Sequence, residues 1–427
     1  MKNRLRAVVT RTVLLLLATI ISGAEVVPQA RRFENVALIN GQWFEGKSFE
    51  RKAMYSVNGL FTSRKPSRID RTINLNDGWI VPPFADAHSH SFGLGISGAD
   101  AKSARAYLEA GVFYVQSQGN LPMTEAEKAS IPLNTPNGID VTFSNATLTS
   151  HDSALHAFLA NMILPQGIFP GYGLETLNNV RYFEIDNGEE LTRKWPQILA
   201  QKNDFIKTYL WLTDNAPFIG PPPLMGKHAL SPDAFRSIVR QAHAVGLRVS
   251  AHIVRAGDFK VAIEGGADEI AHMPSFGNVT PELAKIAAAR NVSVVTTMAQ
   301  VGKPVDTIPA PMREAAAAML VGTTNNLKIL AANGVPIVIG ADNPADTTAD
   351  EAAYIQSLGV FDNAAMLRIW GTATPLAIFP HRNIGALKEG YEASFLALGA
   401  NPLTDWTATR RIQIRFKQGT LMEITPQ

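Results

Sequence analysis

Between residues 80 and 339 the chain alternates short apolar runs with stretches of helical periodicity, and eight such runs occur: 80–84, 112–115, 141–143, 205–209, 248–251, 269–271, 293–296 and 336–339. Short runs separated by helices form parallel strands, because each helix carries the chain back to the end where the last strand began. Several helix ends are marked. Ser231 precedes Pro232 at a helix start and Gly246 follows that helix; Thr280-Pro281-Glu282 opens another, and Gly334 ends a long one. Eight strand-then-helix units over roughly 300 residues predict an α/β chain with a (β/α)8 TIM barrel, here over 81–381. An open doubly wound sheet is the alternative, but no Gly-x-Gly-x-x-Gly follows a strand.

Both flanks read as β-structure. Residues 33–80 hold alternating segments at 36–39 and 42–44 around Asn40-Gly41, and at 69–75 before Asn76-Asp77-Gly78. The pattern returns at 393–397, 412–416 and 421–424. The expectation is a small β-sandwich built from 33–80 and 382–427, with the barrel inserted between. The first 24 residues read as an export signal: basic from Lys2 to Arg11, apolar over 12–21, then Ser22-Gly23-Ala24. The apolar part is short for a bilayer span, so an uncleaved anchor is the lesser reading. Export to a periplasm is expected, with no lasting membrane association after cleavage. The chain has no Cys, which removes disulfides and thiolate metal sites.

The four basic residues of that leader exceed the whole formal net charge of +2, leaving −2 over the remainder and no basic stripe for a nucleic acid. At 46% hydrophobic residues a large core is available. A homo-oligomer is compatible with this composition and not required by it.

His88 and His90 follow the first run. Positions i and i+2 of extended chain face one side, so both imidazoles can close on one divalent ion. Further polar residues sit at or near later strand ends: Lys207, His252, His272 and Asp342. Each alone has a bland reading. A strand-end His is commonly hydrogen-bonded at the core edge, a strand Lys snorkels outward, and Asp342 begins an Asp-Asn-Pro turn. Together they fall at one mouth of the barrel, where barrel enzymes keep their chemistry. Two residues are candidates for substrate contact: His151 after the third strand, and Tyr209, on the same side of its strand as Lys207. His156 and His243 lie in helical patterns and read as structural; His228 and His381 take no role. Long loops rich in Gly or Pro cover 164–188, 213–230 and 298–311. Phe218, Ile219, Leu224 and Met225 either line an apolar pocket or pack the second loop onto the barrel.

The residues Asp86-Ala87-His88-Ser89-His90, Lys207, His252, His272 and Asp342, in that order, resemble the amidohydrolase superfamily. The stretches 241–252, 262–272, 372–377, 384–390 and 401–405 are similar to the same family, and the likeness spans 35–425. The setting of Lys207 in Phe205-Ile206-Lys207-Thr208-Tyr209 resembles the branch of Xaa-Pro dipeptidases and imidazolonepropionase-like enzymes.

The resemblance implies two divalent ions. His88, His90 and Asp342 would hold one, His252 and His272 the other, with Lys207 N-carboxylated between them. Zinc suits nitrogen and oxygen ligands, with manganese and iron as alternatives. The implied activity is hydrolysis of a carbon–nitrogen bond in a small molecule, with Asp342 moving the proton. A lactonase or phosphotriesterase reaction on the same ligands stays open, as does an inactive metal-containing solute-binding protein. Two departures stand out. Ser394 replaces the acid of the family's Ala-Asp-Phe, and Ile253-Val254-Arg255 after His252 lacks the His-x-x-Glu of deaminases. The second favours an amide-like bond over deamination.

Overall fold

The computed structural model describes residues 33–214, 222–299, 313–344 and 346–423. The expected leader, Phe218 and Ile219, and most of the loop 298–311 lie outside the described residues. Among the described residues no helix is long and apolar enough to cross a membrane.

The amino-terminal strands are β1 (Val36–Phe44), β2 (Phe49–Val57), β3 (Leu60–Thr62), β4 (Arg71–Asn74) and β5 (Trp79–Val81). The carboxy-terminal strands are Phe395–Leu398, Ile412–Lys417 and Thr420–Leu421. They hydrogen-bond as one eight-stranded sheet, not as the two facing sheets of a sandwich. The link between chain ends is Trp79–Val81 against Phe395–Leu398, antiparallel. Asn40-Gly41, expected as a turn, is instead a bulge inside β1, with Asn40 at φ 58°. The register shift lets one strand pair in parallel with β4 along its first half and with β5 along its second. Trp43, Phe61 and Phe395 pack on this sheet with ring centroids 5.7–6.5 Å apart.

The parallel strands are β6 (Phe84–Ser89), β7 (Val112–Ser117), β8 (Asp140–Phe143), β9 (Thr147–Thr149), β10 (Tyr182–Glu184), β11 (Ile206–Tyr209), β12 (Val249–His252), β13 (Glu269–Ile270), β14 (Ser293–Val295) and β15 (Ile337–Val338). They form a three-stranded sheet β6-β7-β8 and a seven-stranded sheet β10-β9-β11-β12-β13-β14-β15. Single main-chain hydrogen bonds tie the two sheets: Asp204 N to Phe143 O at 2.9 Å, Ala87 N to Ile339 O at 2.8 Å and Asp342 N to His88 O at 2.8 Å. This is a TIM-barrel-like α/β arrangement with a separate sheet beside it.

The first expected strand, 80–84, is in fact two half-strands in different sheets. Pro82-Pro83 supplies no N–H donor, so the ladder stops there and the chain crosses from β5 to β6. β10, inside a stretch expected to be loop, adds in parallel to β9. Three residues are too few for a periodic signal. Helix starts follow their caps: Ser231 Oγ accepts from Ala234 N and Thr280 Oγ1 from Leu283 N.

Packing joins the parallel strands to what surrounds them. Phe84 stacks on Trp370 at 3.7 Å and 3°, a contact worth about 0.5–1.5 kcal/mol beyond its buried area. The Lys417 ammonium is fully buried. It donates to Thr135 O, Gly138 O and Asp140 Oδ1 at 2.6–2.7 Å, so all three N–H groups are satisfied. Asp140 also pairs with Arg382, which forks onto Glu392.

Candidate active site

His88, inside β6 rather than after a strand, is buried, and its Nδ1 meets Ala271 O at 2.8 Å. A carbonyl accepts only, so Nδ1 carries the hydrogen and the Nε2 lone pair faces the interior. That Nε2 lies 3.2 Å from His90 Nε2 and 3.4 Å from Asp342 Oδ1; His90 Nε2 is 3.2 Å from the same oxygen. These three side chains form a group with the geometry to hold a metal ion. Gly340 makes the approach of β15 to β6 feasible: a Cβ there would sit 2.7 Å from His88 Cβ and 2.9 Å from His88 N. Asp342 takes a left-handed φ of 51° just past β15, a conformation Asp tolerates better than most residues.

His252 ends β12, and His272 follows β13 by two residues. His252 Nδ1 and His272 Nε2 are 2.7 Å apart, while His272 Nδ1 is 3.0 Å from Thr297 Oγ1 and 3.6 Å from Asp342 Oδ2. His252 Nε2 is buried with no hydrogen-bond partner. Asp342 therefore touches both histidine pairs, one with each carboxylate oxygen. Lys207, in the middle of β11, donates from Nζ to Gln118 Oε1. Beneath it Glu269 accepts from Gln116 and Gln118.

Burial sets the protonation states. It drives the Lys207 ammonium down to about 7, with Arg181 acting in the same direction and Asp342 and Glu269 opposing. It holds His88, His252 and His272 well below the ordinary imidazole value, neighbouring Lys207 adding to the effect. For Asp342 burial pushes upward, but the His90 hydrogen bond and the nearby His272 and Lys207 outweigh it and hold the carboxyl below its usual range. Three neutral imidazoles, a carboxylate and a readily neutral amine are the donor set of a divalent-cation site with nitrogen and oxygen ligands. The orphaned His252 Nε2 and the inward-facing His88 Nε2 fit such an ion.

All six of these residues line one cavity of about 330 Å³. Its remaining wall is mostly apolar, with Phe158, Ile168, Phe169 and Leu224 among the contributors. Tyr209 also lines it, stacked on His252 at 3.9 Å and 7°. Met225 does not; it is exposed beside the cavity residue Leu224. His151 does not line it either. Its Nδ1 is 2.8 Å from Asp186 and its Nε2 3.1 Å from Glu184, and the side chain is 59% exposed. The substrate-contact expectation for His151 is corrected on this ground: acidic partners on the β10 segment hold the ring away from the cavity. His156 is buried next to Tyr182, and His243 pairs with Asp268.

Gln118, Thr147, Arg181 and Trp211 line the cavity without having been singled out from sequence. Gln116 and Gln118, alternating at the end of a strand of buried residues, were a readable signal, since an amide there needs a partner. Arg181 lies in irregular chain before β10 and had none.

The description of the amidohydrolase family matches residues 79–422. No curated protein matches the chain. Solved structures with the same fold include the A. niger ochratoxinase, at 18% identity and TM-score 0.74, covering 92% of this chain and 96% of that one. They also include a prolidase complexed with N-methylphosphonate-L-proline, at 18% identity and TM-score 0.73, covering 91% and 99%. A Xaa-Pro dipeptidase with methionine bound in its active site matches at 16% identity and TM-score 0.71, covering 91% and 100%. With the family match spanning both histidine pairs, Lys207 and Asp342, the chain belongs to the amidohydrolase family and is a hydrolase.

Proposed function

We propose that the protein is a metal-dependent hydrolase of amide-like carbon–nitrogen bonds in small molecules. The observation that carries the reading is the meeting of His88, His90, Lys207, His252, His272 and Asp342 in the lining of one cavity. Membership of a family whose solved relatives include a prolidase and a molinate hydrolase supports it. In this reading the strands close as a (β/α)8 barrel over 81–381, flanked by the sheet of 33–80 and 382–427, and the leader directs export. Fractionation of cells expressing the full chain tests the last point: retention in the cytoplasm excludes it.

His88, His90 and Asp342 would hold one divalent ion and His252 and His272 a second, with Lys207 carboxylated between them. Zinc is the preferred ion for this donor set. Lys207 is disposed toward that modification because burial brings its ammonium down to about 7, so a large share of the amine is neutral near that pH. Its nitrogen bonds to the carbon of carbon dioxide and loses one proton, leaving an anionic carbamate. Bound there, such ions would supply charge stabilisation for the scissile carbonyl and would acidify water.

The chain's own residues supply the rest. Asp342, ionised and held between the two histidine pairs, accepts a proton from the attacking water and returns it to the departing nitrogen. Gln118 fixes Nζ of Lys207. Tyr209, stacked on His252, limits where the ring can turn and closes that side of the cavity.

Metal analysis of the purified protein, joined to a screen of N-acyl amino acids, dipeptides, lactones and phosphotriesters, tests the proposal. Two ions per chain and turnover of amide substrates are expected. Turnover of lactones or triesters alone would move the reaction to those bonds, and ligand binding without any turnover would identify a solute-binding protein.

A further inference from the structure

Among the described residues, the cavity contains one cation that the hydrolytic reading leaves unused. Arg181 is 6% exposed and lines the same cavity as the histidines and Lys207. Its guanidinium donates from one terminal nitrogen to Thr147 Oγ1 at 3.0 Å and lies over the Phe169 ring at 5.6 Å. Nε has no hydrogen-bond partner, and no carboxylate among the described residues forms an ion pair with this side chain. Burial lowers its pKa to about 10, with no acid acting against that shift. A guanidinium stays charged at neutral pH even so, and a buried charge without a counter-charge is costly.

The surroundings are built to keep it there. Arg181 N donates to Leu177 O at 2.8 Å, and Arg181 O accepts from Thr147 N at 3.0 Å, so the backbone is anchored on both sides. Gly119, at φ 71°, faces the guanidinium. A Cβ there would lie 2.7 Å from one terminal nitrogen of Arg181 and 2.7 Å from Thr147 Oγ1. Thr147 is the register partner of Lys207 on the adjacent strand, which places the cation one strand away from the candidate metal ligands.

We propose that Arg181 binds the carboxylate of the substrate, so that the substrates are N-acylated amino acids or dipeptides whose apolar groups fill the Phe158, Ile168 and Leu224 side. The assignment rests on the hydrolase reading above. A planar guanidinium matches a carboxylate two-pronged, and such a pair in a desolvated cavity discriminates strongly against the uncharged analogue.

The test compares N-acyl-L-phenylalanines with the matching N-acyl-2-phenylethylamines, which lack only the carboxylate. Wild-type protein should favour the acid in kcat/KM by about 30-fold or more, the lower bound for an unpaired partner of a buried charged pair. Arg181→Met should erase that gap through KM with metal content unchanged, and Arg181→Lys should keep part of it. In wild-type protein, calorimetry with 3-phenylpropionate should show binding that 3-phenylpropanamide does not.

Equal rates for the two substrate series, or equal binding of the two product analogues, overturns the assignment while leaving the hydrolase reading intact. Loss of metal in Arg181→Met also overturns it, by making Arg181 a support of the metal ligands. Carboxylate-selective binding with no turnover of any amide retains Arg181 as the anion site and removes the hydrolase reading instead.

Discussion

Lys207 offers the sharpest quantitative handle on the site. Burial brings its ammonium from an ordinary 10.5 to about 7, a bias of about 5 kcal/mol toward the neutral amine. Only the neutral amine reacts with carbon dioxide. At pH 8 an amine of pKa 7 is roughly nine-tenths neutral and at pH 6 roughly one-tenth, whereas a lysine at 10.5 is below about 1% at both. Chelator-stripped protein supplied with zinc at fixed dissolved carbon dioxide should therefore recover activity about ten times faster at pH 8 than at pH 6, levelling off above pH 8. His88, His252 and His272 are held well below their ordinary value and contribute little in this window. Carbon-13 bicarbonate should add a carbamate resonance that Lys207→Ala lacks. The sign for stability follows from the same shift. The folded chain binds fewer protons than the unfolded chain between pH 7 and 10.5, so this residue's cost to the stripped protein falls as pH rises through that range. Recovery that ignores carbon dioxide, or that climbs steadily beyond pH 9, would refute the reasoning.

Asp342→Asn should retain metal and lose about 10²–10⁴ in kcat; unchanged turnover removes Asp342 from proton transfer. Gly340→Ala drives a methyl into His88 and should weaken metal binding by about 10- to 100-fold, read by chelator competition. Metal affinity equal to wild type would show that the β15–β6 approach is slack. Lys417→Met leaves Asp140 facing Arg382 without its second cation and should cost about 3–5 kcal/mol in denaturant unfolding, with kcat little changed. A loss below about 1 kcal/mol would mean the network is readily remade. Chelation of wild-type protein should lower Tm in proportion to metal affinity, and no shift would indicate that the donors bind no ion.

The alternation of short apolar runs with capped helices was legible because periodicity and caps are local. Ser231 and Thr280 begin their helices with the hydrogen bonds their residue types imply. The candidate ligands were legible for a related reason. In parallel α/β architecture every strand points the same way, so polar residues at successive strand ends must gather at one end. His88, His90, Lys207, His252, His272 and Asp342 do line one cavity.

Other features depended on partners far along the chain. Pro82-Pro83 moved the first strand boundary only because a second sheet stood ready to take Trp79–Val81. The bulge at Asn40-Gly41 looked like a turn until β4 and β5 divided one edge of β1. His151 carries the same local signal as a ligand, yet Glu184 and Asp186, more than thirty residues on, hold it outside the cavity. Arg181 carries no signal at all, and its burial beside Gly119 and Thr147 exists only in three dimensions. By itself the sequence determined element order and the common end at which its polar residues collect, since both follow from nearest-neighbour geometry. Tertiary structure alone decided which charges went unpaired and which loops reached the cavity, because desolvation depends on everything that packs around a group.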